Sequence, residues 1–149
     1  MGENWLGLCG KWVVNVNYSF VVLPVVSAEL AFLAESGNPR EKKLAGHAFE
    51  SYLTEWRFTP RELTDLEEDY AEEEAENLLR LQLLPATEFH DALLIAEAAV
   101  VSIPCLLSND AHLKDCDQEH VQIVLRARDL RNVIIFRYQA YLRTYSEGR

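Results

Sequence analysis

Three acidic residues stand where apolar segments begin or end. Glu29 lies in Val25-Val26-Ser27-Ala28-Glu29-Leu30, Asp91 opens the run His90-Asp91-Ala92-Leu93-Leu94-Ile95-Ala96, and Asp110 closes Leu106-Leu107-Ser108-Asn109-Asp110. A carboxylate beside apolar sequence is costly unless a positive or hydrogen-bonding group meets it. Carboxylates gathered at one place repel one another until a cation joins them, and hard ions such as Mg2+ or Mn2+ bind through oxygen ligands and water. Such ions activate a water and stabilise the charge that develops on a phosphodiester under in-line attack, so no nucleophilic side chain is needed. The chain carries no GxSxG elbow and no GxxxxGK[ST] loop, in keeping with that chemistry. Taken singly, each acid also has an ordinary role, as a first-turn charge (Glu29, Asp91) or a turn residue (Asp110).

The elements that must position these acids are legible as periodicities. Phe20 to Leu23 is a β-branched run ended by Pro24, after which Ser27 opens a helix carrying Glu29. Gly37-Asn38-Pro39 breaks the chain, and Leu44, Ala48, Phe49, Tyr52, Leu53 and Trp56 recur at helical spacing. Thr59-Pro60 breaks it again, before a long helix from Leu63 to Leu79 whose polar face is nearly all carboxylate and reads as a solvated face. Thr87 and Glu88 introduce the helix of Asp91 as a cap and an acidic first turn. A strand at Ile103 to Leu107, a polar loop to Asp117, a helix from Gln118 to Leu130 and a strand at Val133 to Phe136 follow. Tyr138, Tyr141, Leu142 and Tyr145 then mark a last helix, and residues 1–17 form a lead-in with one strand at Trp12 to Val16. Short apolar strands alternating with helices predict an α/β fold with a mostly parallel sheet covered on both faces.

With 149 residues the chain reads as one domain able to bury about 70% of its unfolded surface. The apolar stretch from Tyr18 to Val26 is too short to span a bilayer and lacks a basic n-region, so no membrane is expected and the cytoplasm is the expected setting. Cys9, Cys105 and Cys116 form no metal or redox motif, and Cys105 reads as a small core residue. A net charge of −10 opposes nucleic-acid binding through a large basic surface. The charge is uneven, however: nine acids and two arginines lie between Arg61 and Arg80, whereas six arginines and two acids lie from Arg126 to the end. A small phosphate-facing patch of Arg126, Arg128 and Arg131 is the expectation there, with Arg137 and Arg143 beyond it.

In this order, the three acidic segments resemble motifs of the PIN-domain family of metal-dependent nucleases, which includes the VapC-type toxins. Val26-Ser27-Ala28-Glu29-Leu30 looks like the second motif, His90-Asp91-Ala92-Leu93-Leu94-Ile95-Ala96 like the third, and Leu106-Leu107-Ser108-Asn109-Asp110 like the fourth. The resemblance covers roughly residues 20 to 140 and implies a three-layer α/β/α sandwich. It further implies an endoribonuclease whose Mg2+ or Mn2+ is held by Glu29, Asp91 and Asp110 beside a helping hydroxyl on Ser108. RNA is the implied substrate and a basic or amphipathic antitoxin an implied partner; the tyrosine-bearing helix packs within the monomer or across a homodimer.

One departure bears on activity. Family members begin with a strand ending in aspartate, and the best local match here, Asn15-Val16-Asn17, offers an amide with no room for the following helix. Either the first strand is missing through a truncated start, or the N-terminus is rebuilt. The alternative function is therefore a catalytically weakened PIN-like module that binds RNA or a protein without cutting. A receiver-like fold is disfavoured, because no acidic pair follows an early strand.

Overall fold

The structure, a computed structural model, describes residues 19–52 and 54–136. It is a mixed α/β protein with short parallel strands, and its contacts gather into two compact units, one ending at Glu62 and the other beginning at Leu63. The expected strand at Trp12 to Val16, the last helix and Arg137 and Arg143 lie outside the described residues.

In the first unit, β1 (Val21–Val22) leads directly into α1 (Pro24–Ser36), and α2 (Pro39–Tyr52) packs on α1 before the chain reaches β2 (Thr59–Pro60). Helix α1 starts at Pro24, three residues before the expected Ser27. Proline suits a first helical position because its fixed φ is helical and its missing N–H would have had no partner there. At the other end the Gly37 N–H donates to the Leu33 carbonyl, and a Cβ on Gly37 would fall 2.5 Å from that oxygen, so the close turn requires glycine. Asn38 then caps α2 reciprocally: Asn38 Oδ1 accepts from Glu41 N at 2.9 Å and Glu41 Oε2 from Asn38 N at 2.8 Å. Thr59-Pro60, read from sequence as a breaker, is a strand parallel to β1. The ladder uses the N–H groups of Thr59 and Arg61 and skips Pro60, which has none to give. Trp56 lies beyond α2 rather than within it, buried against the His47 and Phe58 rings.

The second unit runs α3 (Asp65–Arg80), α4 (Phe89–Val100), β3 (Cys105–Leu107), α5 (Ala111–Asp115), α6 (Gln118–Ala127) and β4 (Ile134–Phe136). Thr64 and Glu67 form a capping box at the start of α3, with Asp65, Glu67 and Glu68 in its first turn. Small residues let α3 and α4 pack against each other: Ala71, Ala75 and Leu78 from one helix, and Ala92, Ile95, Ala96 and Ala99 from the other, are all buried. Both helices and α6 stop at left-handed residues that are not glycine, namely Gln82, Ser102 and Asp129. In each case the next residue's N–H bonds a carbonyl five residues back, as in Leu83 to Leu78. This ends α6 at Ala127 rather than the expected Leu130.

Strands β3 and β4 pair in parallel, Leu106 opposite Ile135, with both of these buried. Cys105 is exposed, which corrects the core assignment: the two-residue period that buries Leu106 turns its neighbour outward. The loop expected from Ser108 to Asp117 contains helix α5. On α6, Gln118 extends its side-chain amide to β4 and Gln122 to Val133, the residue just before it. Gln118 donates to the Ile135 carbonyl and accepts from its N–H at 3.2 and 3.0 Å, and Gln122 does the same for Val133, accepting at 3.1 Å. The helix thereby satisfies backbone groups of Val133 and Ile135 that β3 does not reach. No helix among the described residues is long and apolar enough to cross a membrane.

Candidate acidic site at the end of strand β3

Leaving β3, the chain is held by its own polar groups. Ser108 N donates to the Phe136 carbonyl at 3.0 Å, which continues the ladder one residue beyond the strand. Ser108 Oγ in turn accepts from Asp110 N at 3.0 Å, and Asp110 Oδ1 accepts from His112 N at 2.8 Å, capping α5. Asp110 thus does the turn work expected of it, and its side chain is fixed relative to the sheet.

Asp91 approaches from the first turn of α4. Its Oδ2 is buried and has no hydrogen-bond partner among the described residues, and its carboxyl is pushed up to about 6. Burial is the main cause; the charges of Asp110 and Glu88 add to it, and a proton on Asp91 can be shared with Asp110. His112 acts in the opposite direction. Glu88 completes the surroundings: its Oε1 lies 3.5 Å from His112 Nε2 and accepts from Thr87 Oγ1 at 3.2 Å.

Asp91 and Asp110, two of the predicted ligands, thus lie within electrostatic reach of each other in the second unit, and the Ser108 hydroxyl bonds the Asp110 backbone. Glu29 belongs to the first unit, where it is exposed on α1. It is also not a first-turn glutamate, because starting at Pro24 places it in the second turn. Among the described residues, no group of three or more His, Cys, Asp or Glu side chains is arranged to hold a metal ion. His112 joins these acids without any role expected of it from sequence, where its place two residues after Asp110 is the one local signal.

The basic patch is altered by one buried acid. Glu74 was counted in the solvated face of α3, yet it is fully buried. Arg128 Nε lies 2.7 Å from Glu74 Oε2, and Arg128 Nη2 lies 2.6 Å from Glu73 Oε1. The first contact is ionic without hydrogen-bond alignment; Asn77 donates to the other Glu74 oxygen at 3.3 Å. Burial raises the Glu74 carboxyl despite Asn77 and Arg128. All three arginines are exposed, but Arg128 is engaged by Glu73 and Glu74, which leaves Arg126 and Arg131 outside that pairing.

Comparison of the chain with protein-family models, with curated proteins and with solved structures gives no match.

Proposed function

We propose that the chain is a divalent-metal-dependent endoribonuclease of the PIN type, with Asp91 and Asp110 as the pair that holds Mg2+ or Mn2+. The supporting observation is the buried, unpartnered Asp91 Oδ2 beside a second carboxylate. An oxygen in that setting is satisfied by a proton or a cation. A pair is a chemically sufficient donor set, since Mg2+ is commonly bound by one or two carboxylates with water and substrate phosphate completing its shell. When bound, the ion would activate water and offset charge on the phosphodiester.

The chain's own residues prepare that setting. Ser108 and the start of α5 hold Asp110 in place, the apolar body of α4 keeps water from one side of Asp91, and Glu88 steadies His112 at the rim. RNA is the substrate in this reading, the setting is cytoplasmic and the architecture is a three-layer α/β/α sandwich. The exposed carboxylates of α3 offer a face to a basic antitoxin segment. The alternative, an RNA- or protein-binding module that does not cut, draws on the exposure of Glu29, apart from the acidic pair, and of Arg126 and Arg131.

Calorimetric Mn2+ titration of the full chain and of Asp91→Asn, each followed by an RNA cleavage assay, tests the proposal. Saturable binding and Mn2+-dependent cleavage, both lost in Asp91→Asn, are expected. RNA binding without metal uptake or cleavage would select the non-cutting module instead.

A further inference from the structure

Beside the acidic pair lies an open cavity of about 540 Å3, within the size range of small-molecule sites. Its wall is more apolar than polar and includes Leu83, Leu84 and Pro85 from the link between α3 and α4. Gln82, His112 and Asp115 are polar members of that wall, and among the described residues no lysine or arginine lines it. His112 is shared: its backbone N–H donates to Asp110, its ring reaches Glu88, and it forms part of the cavity wall.

From this juxtaposition we infer that the cavity is a nucleobase subsite, taking an amino-bearing base from the nucleotide next to the phosphate at Asp91 and Asp110. The inference rests on the reading of the chain as RNA-directed. A phosphate is a poor occupant of this wall, which includes the carboxylate of Asp115 and, among the described residues, no lysine or arginine. A flat base suits an apolar floor, and a carboxylate accepts from an exocyclic amine, as an acidic side chain does from cytosine N4. The Asp115 side chain is 68% exposed and meets Lys114 Nζ at 3.5 Å through Oδ1, leaving Oδ2 outside that contact. Gln82, in its left-handed turn, adds an amide that can donate and accept at the same edge. Uracil, which has a carbonyl where cytosine has its amine, would set an oxygen against the Asp115 carboxylate.

The test is fluorescence anisotropy of labelled tetranucleotides, oligocytidine against oligouridine, with the full chain in EDTA, so that neither metal binding nor cleavage contributes. Wild type should bind oligocytidine about tenfold more tightly, and Asp115→Ala, a change at an exposed side chain, should reduce the ratio to about one. Gln82→Ala should lower the ratio in part. Equal affinity for both oligomers in the wild type, or a preference unchanged in Asp115→Ala, would overturn the subsite. Neither result bears on Mn2+ uptake, so the subsite and the metal site can fail separately.

Discussion

Glu74 and Arg128, 54 positions apart, meet at 2.7 Å with the Glu74 side chain fully buried and the arginine side chain one-third exposed. The pair ties the middle of α3 to the end of α6. Removing the arginine would strand a buried charge, which costs more than the intact pair contributes. Arg128→Met should destabilise the fold by about 1–3 kcal/mol at neutral pH. Burial holds the Glu74 carboxyl above its ordinary range, so the stability linked to its protonation is present at low pH and lost as pH rises through the raised value. The Arg128→Met defect should therefore shrink toward acid pH and be partly repaired by Glu74→Gln, as read by chemical denaturation across pH.

Asp91 carries the same sign. Its carboxyl binds protons more tightly in the folded chain, at about 6 against an ordinary 3.8. Stability from this group is complete below the lower value and is lost as pH rises through the upper one. Asp91→Asn should melt at an equal or higher temperature than wild type above about pH 6, with the difference fading toward about pH 4. Mn2+ should raise the melting temperature of wild type alone, and more strongly as pH climbs past the same range, because the ion competes with the proton. A lower melting point for Asp91→Asn at neutral pH would contradict the repulsion argument.

Gln122 serves both backbone groups of Val133, a fully buried residue. Gln122→Leu should cost about 1–3 kcal/mol, since it leaves a donor and an acceptor without partners. Gln122→Glu should fall between the two, retaining the acceptor and losing the donor. Hydrogen exchange at the Val133 amide should accelerate in Gln122→Leu and remain slower in Gln122→Glu.

With Arg128 engaged by Glu73 and Glu74, the arginines near the end of α6 left to meet phosphate, among the described residues, are Arg126 and Arg131. Replacing both by alanine should weaken RNA binding at low salt and lower the salt slope by up to about two. The melting temperature should stay within a degree or two of wild type, because exposed charges contribute little to stability. An unchanged slope would remove this patch from the RNA-binding surface.

What the sequence determined by itself is local. Periodicity identified the helices around Glu29, Tyr52, Ala75 and Ile95, because an apolar stripe at helical spacing is written in neighbouring residues. Short apolar runs likewise marked the strands at Val21, Leu106 and Ile135. The same local order placed Ser108 and Asp110 at the end of a strand, where the structure has them. Boundaries governed by single residues were less legible: Pro24 started α1 early, and Asp129 ended α6 early by taking a left-handed conformation that glycine would have announced. The tertiary structure alone decided which charges meet. Asp91 and Asp110 come together because α4 and the loop after β3 converge, and Glu74 leaves the solvated face because the fold buries it where Arg128, just past the end of α6, reaches it. Sequence spacing cannot report such pairings, since the free energy of a charge depends on what packing removes from water and what it brings within a few ångströms.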